Sequence, residues 1–171
     1  MEIPTMTNQP DPRRSAESIS TEIGLELSYF TDESERNFLP LGLPIGYLLL
    51  QWFAEGLVMG VGATASEPLT DKVAVAVKGL RTRVSRLFGR RGGTPQTDAR
   101  AEEELAIDTK EALDVAREQF GGSSGDELTR AAEAYEQALV GYLTGEGMPA
   151  VDAVRIAQRV RSEAGIQLRL G

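Results

Sequence analysis

Between Arg36 and Glu67 the chain carries one ionisable side chain besides Tyr47, the carboxylate of Glu55. The stretch NFLPLGLPIGYLLLQWFAEGLVMGVGATAS predicts a helix from about 44 to 63 that is apolar nearly all round, opened by Pro44 in its first turn. A helix of that kind must hide its whole circumference, inside a protein, at an assembly surface or in a bilayer. Its length suits a membrane span. Its mean hydropathy falls short of one, and Gln51 and Glu55 lie one turn apart in its middle. Burial within protein is therefore the favoured reading. Gly42 and Gly46, and again Gly56 and Gly60, are four apart, a spacing that lets a neighbouring backbone come close.

A basic amphipathic segment follows. Residues 72–91 hold Lys72, Lys78, Arg81, Arg83, Arg86, Arg90 and Arg91 and no acid. Val73, Val77, Leu80, Val84 and Leu87 form one narrow stripe, with Phe88 at its margin, which predicts a helix over 70–91. Its charged flanks suit solvent, an anionic membrane surface or an acidic protein surface. Residues 93–171 carry a net charge of −7 and residues 1–92 a net charge of −1. The acidic half disfavours nucleic acid as a partner and is itself a candidate neighbour for the basic helix. The bases nearest Glu55 in sequence on that helix are Lys72 and Lys78.

The chain has no cysteine and no histidine. That excludes disulfides, thiolate metal sites, cysteine nucleophiles, imidazole ligands and histidine general bases. A carboxylate-based enzyme is the remaining catalytic class, and no phosphate loop, dinucleotide fingerprint or nucleophile elbow accompanies it. No cofactor and no metal is implied.

The first residues, MEIPTMTNQPDPRR, read as a disordered leader over 1–15, without the basic start and apolar run of a secretory signal. Cytoplasmic residence, or association with a membrane, is expected. Over 18–29, Ile19, Thr21, Ile23, Leu25, Leu27 and Tyr29 alternate with polar residues and predict a strand. A helical face through Ala16, Ile19, Ile23, Leu27 and Phe30 is the competing reading, and no partner strand is evident.

Arg91-Gly92-Gly93-Thr94-Pro95 marks a boundary, with a linker over 92–97 between an N-terminal unit, 16–91, and an acidic helical unit, 98–171. Three helices are expected beyond it. Their inner faces are Leu105, Thr109, Ala112, Ala116 and Phe120; Leu128, Ala131, Ala132, Tyr135, Leu139 and Tyr142; and Ala153, Val154, Ala157, Val160, Ala164 and Leu168. Ser124 with Glu127 resembles a capping box, and short connections favour antiparallel neighbours. Glu102, Glu103, Glu104, Asp108 and Glu111 read as a solvated helix face.

The expected fold is mainly α: an apolar helix and a basic amphipathic helix, with one N-terminal strand, followed by an antiparallel three-helix bundle. The expected function is a non-enzymatic helical interaction or regulatory module, docking a protein partner or a second copy. A membrane-associated accessory protein, with 44–63 inserted and 72–91 on the lipid surface, is the alternative. The candidate contact residues are Glu55, Gly56, Gly60, Lys78, Arg81, Arg83, Arg86, Phe88 and Arg90.

Overall fold

The computed structural model describes residues 11–27, 43–61, 68–89, 95–120 and 125–168, with the backbone alone described at 23–27, 43–44, 85–89 and 95–102. These residues form six helices and no strand: α1 (Pro12–Leu27), α2 (Leu43–Val61), α3 (Leu69–Gly89), α4 (Pro95–Phe120), α5 (Asp126–Gly145) and α6 (Ala150–Leu168). The mainly helical class read from the sequence holds.

The strand over 18–29 does not. Residues 18–27 belong to α1, and Tyr29 lies outside the described residues. The Asp11 carboxylate accepts the Arg13 N–H at 3.0 Å, and Pro12 takes the first helical position, so the segment starts as a capped helix. Ser15, Ala16 and Ile19 are buried while Glu17 and Thr21 are exposed, a helical spacing in which the alternation has no part. Residues 12–15, assigned to the leader, are helical too.

The apolar helix is the hub. α2 packs against each of the other five helices, most extensively against α4 and α1. Every residue from 45 to 54 is buried. Over 45–54 the whole circumference is thus covered by the chain itself, while further along Glu55, Val58 and Met59 reach the surface. Among the described residues no helix is long and apolar enough to cross a membrane.

Close approach makes this packing possible. A Cβ on Gly46 would run into the backbone carbonyl of Ala16 on α1, and one on Gly56 would lie 2.7 Å from the Tyr135 ring on α5. Polar ties fix the register. Thr109 Oγ1 on α4 donates to the Tyr47 carbonyl at 3.1 Å, and Trp52 Nε1 donates to the Ala76 carbonyl of α3 at 2.8 Å. Lys72 Nζ of α3 donates to the Met59 carbonyl at 2.9 Å, where α2 is running out of backbone partners.

α5 and α6 are antiparallel neighbours across a turn in which Gly147 takes φ 105° and Met148 N–H returns to the Leu143 carbonyl. The six residues named for the α5 face are all buried. On α6 five of the six are buried; Val154 is exposed, and Ile156 and Gln167, not named, are buried. The capping box is also corrected. The α5 N-cap is Gly125, which makes no side-chain cap bond, and Ser124 lies outside the described residues.

One hydrophobic core results. Its buried cluster joins Ile19, the α2 residues, Leu80 and Val84 to Leu113, Tyr135, Leu139, Ile156 and Val160. It continues without a break from one side of residues 92–97 to the other, and α4 already begins at Pro95.

Candidate functional site

Glu55 sits where α2 reaches the surface. The face of α2 formed by Gln51, Glu55, Val58 and Met59 meets the face of α4 formed by Asp108, Glu111, Ala112 and Val115. Residues four and seven or eight apart share one side of a helix, so each helix supplies a continuous wall. Between them runs an open groove of about 440 Å³. Four of its eight lining residues are aliphatic: Val58, Met59, Ala112 and Val115. Met59 is 44% and Val115 54% exposed, a large apolar contribution for a surface so close to the core.

Its walls are acidic. Glu55 Oε1 pairs with Arg83 Nη2 at 2.9 Å, and Glu55 Oε2 accepts from Gln51 Nε2 at 3.2 Å. Arg83, not Lys72 or Lys78, is the base that answers Glu55. Lys72 binds the Met59 carbonyl and Lys78 is exposed. Through this pair Arg83 links α3 to α2.

Asp108 and Glu111 have no ion-pair or hydrogen-bond partner among the described residues. The other side of α4 is different. There Asp114 accepts from Lys110 at 3.0 Å and from Arg117 at 2.8 Å, and its carboxyl is held below the ordinary value, first by the Lys110 hydrogen bond. The unpartnered pair on the groove side is an i,i+3 like-charge pair, which weakens a helix by a few tenths of a kcal/mol. Asp108, Glu111, Glu103 and Glu104 are all exposed, as a solvated acidic face requires, and the first two also line the groove.

Two buried polar atoms near Glu55 have no partner among the described residues: Gln51 Oε1 and Arg83 Nη1. Gln51 is 9% exposed and lines the groove. The orientation of its amide follows from charge. The NH2 must face the Glu55 carboxylate, which leaves the carbonyl oxygen as the spare acceptor.

The candidate contact residues separate. Glu55 is in the groove and Arg83 behind it. Gly56 and Gly60 face inward, onto Tyr135 and, for Gly60, also Ala131 and Leu69. Lys78 and Arg81 are exposed on α3. The side chains of Arg86 and Phe88, and the whole of Arg90, lie outside the described residues. Gln51, Asp108, Glu111 and Val115 escaped the sequence reading as contact residues, because nothing in either helix alone says that the two faces meet. The signal was partial: Gln51 with Glu55, and Asp108 with Glu111, were each visible as same-face pairs.

Among the described residues no three acidic side chains are close enough to hold a metal ion. The carboxylates are spread along two helices rather than gathered at a point. What fold and site define, among the described residues, is a mainly helical bundle with a groove of acidic and aliphatic lining at the exposed edge of its central helix. No protein-family model, no curated protein and no solved structure matches the chain.

Proposed function

We propose that this protein is a non-enzymatic helical interaction module, and that the α2–α4 groove receives a basic, amphipathic helical segment of a partner protein. The observation that carries the reading is the combination of two carboxylates without a partner among the described residues, Asp108 and Glu111, with exposed aliphatic side chains in one groove. An amphipathic helix lays its apolar face into such a groove and sets its cations on the rim. The charge selects against acidic segments, and a net charge of −8 steers basic ones in.

The test is a titration with a designed helical peptide carrying leucine on one face and lysine and arginine beside it, against a twin with glutamate in place of the bases. The basic peptide is expected to bind, more weakly as salt rises. Asp108→Lys combined with Glu111→Lys is expected to abolish binding while leaving the far-UV circular dichroism unchanged, since both residues are exposed. Equal binding of the two peptides, or indifference to the double substitution, would sink the proposal.

A second reading rests on α3, where Val75 is 62% exposed between exposed Lys78 and Arg81 and half-buried Lys72. That strip suits attachment to an anionic membrane surface. Flotation with phosphatidylserine vesicles tests it. Binding abolished by Lys78→Glu with Arg81→Glu supports attachment, and protein left at the bottom of the gradient rejects it.

A further inference from the structure

We infer that the basic helix received by the α2–α4 groove is α3 of a second copy of this chain, laid antiparallel along α4. The inference rests on the groove being a docking site for a basic helix and names the helix that occupies it.

α3 has an outward face that the fold leaves without a neighbour. The helix packs against α2 and α5, and its Leu80 and Val84 enter the core. On its outer side Val75 is 62% exposed, and Lys78 and Arg81 are exposed with no ion-pair partner among the described residues. Trp52, bound to the Ala76 carbonyl, and Glu55, bound to Arg83, pin α3 to α2 in this orientation. The face is therefore not free to turn onto the groove of its own chain, and only another molecule brings it there.

The two faces match residue by residue. Along α3 the order is Val75, Lys78, Arg81; along α4 it is Asp108, Glu111, Val115. Intervals of three or four residues span about 4.5–6 Å on a helix. With the helices antiparallel, Val75 falls over Val115, Lys78 over Glu111 and Arg81 over Asp108. The valines meet beside the exposed Met59 of the groove, and each charge meets its opposite. Run parallel, Val75 would fall on Asp108 and Arg81 on Val115, which wastes both kinds of contact.

The wider charge pattern selects the same pairing. Residues 72–91 hold seven bases and no acid, whereas residues 93–171 carry a net charge of −7. Setting α3 on α3, or groove on groove, would bring like charges together; only unlike faces attract. The net charge of −8 on each copy opposes any association. At about 0.1 M salt, however, screening confines that repulsion to about 10 Å, while the facing charges are in contact. A contact one helix wide is small, so the association is weak and concentration-dependent.

The experiment is sedimentation velocity of the full chain from about 10 μM to about 1 mM, a range that covers weak association. At about 0.1 M salt the average mass is expected to rise with concentration, and at about 1 M salt to return to that of a monomer. Lys78→Glu with Arg81→Glu, and separately Asp108→Lys with Glu111→Lys, are each expected to weaken association at least about tenfold. An equimolar mixture of the two variants is expected to restore it, because opposite charges face each other again. Circular dichroism reports whether each variant is folded. Should either not fold, cross-linking decides, since the chain has no cysteine of its own. Val75→Cys in one molecule and Val115→Cys in another, both at exposed positions, are expected on oxidation to give the mixed dimer in excess of the statistical half. A monomer at every concentration, association indifferent to either charge reversal, variants that stay apart when mixed, or statistical cross-linking would overturn the inference. If the basic helical peptide binds and the chain stays monomeric, the second copy falls and the groove stands as a site for another protein. If the peptide fails as well, both fall.

Discussion

Glu55 is held from two sides, and this explains how a carboxylate survives in the middle of an otherwise uncharged helix. Arg83 reaches it from α3 and Gln51 from one turn earlier on α2, while about a third of its side chain stays in contact with water. The pair is not a deeply buried one, so its net contribution is small, but removing only one partner is a different matter. Glu55→Leu would leave the Arg83 guanidinium and the Gln51 amide without their acceptor in a crowded corner, where Arg83 Nη1 already has no partner among the described residues. Stranding such groups costs about 1–3 kcal/mol, toward the lower end here because Arg83 retains access to solvent. Urea unfolding followed by the emission of Trp52, the single tryptophan, is expected to show that loss. Glu55→Leu combined with Arg83→Met is expected to recover part of it. Strict additivity of the two substitutions would mean that they do not act on one another.

Helix against helix, the decisive quantity is how near α2 comes to its neighbours. At Gly46 the obstacle to a side chain is the Ala16 backbone, which cannot swing away. Gly46→Ala is therefore expected to lower the midpoint of thermal unfolding, since overpacking costs about 1–3 kcal/mol and the better helix propensity of alanine returns about 1 kcal/mol. Gly60→Ala is the control. Its nearest neighbours stand at 3.1 Å and are side-chain carbons of Ala131, Leu69 and Tyr135, so a much smaller change is expected. The same contacts explain what the sequence made legible. A period of 3.6 is printed into α3, α4 and α5 because each buries one side against a fixed neighbour, and most of their inner residues could be named in advance, the buried Leu113 of α4 being missed. α2 has no such period, and its burial was legible from its being apolar nearly all round. α1 was misread because Ile19, Thr21 and Ile23 alternate by chance, although Asp11-Pro12 offered a helix start. On α6 five of the six residues named are buried and only the margin differs, with Ile156 inside and Val154 out, which follows from where α5 and α1 stand and not from anything local. Of the groove, only Glu55 stood out, as the lone charge in an apolar run. Asp108 and Glu111 looked like any solvated acids until α2 was placed beside them.

At the scale of the whole molecule, burial of tyrosines and sharing of one core set the stability. Tyr135 and Tyr142 both have phenol groups pushed above the ordinary value of 10.0, chiefly by burial, with Glu146 adding to the effect at Tyr142. For an acid raised on folding, the neutral form is the one the fold favours. Its stabilisation is complete below pH 10 and is lost as pH climbs above that, because the unfolded chain can then ionise and the folded one cannot. The unfolding midpoint is expected to fall with rising pH above that value, and Tyr142→Phe to flatten the decline. The shared core leads further. α2 covers the inner faces of α4, α5 and α6, so Leu113, Tyr135 and Leu139 depend on Leu48, Trp52, Phe53 and their neighbours for concealment. A piece spanning 95–171 would keep its helical pattern and lose the element that fills its centre. Such a piece is expected to show residual helix by circular dichroism, to bind hydrophobic dyes, and to lack a cooperative thermal transition. Supplying a piece spanning 11–89 in equal amount is expected to restore cooperativity and bring the Trp52 emission to the short wavelengths of a buried indole. Cooperative unfolding of 95–171 by itself would instead show that the three C-terminal helices close a core of their own, with α2 added to a bundle that already stands.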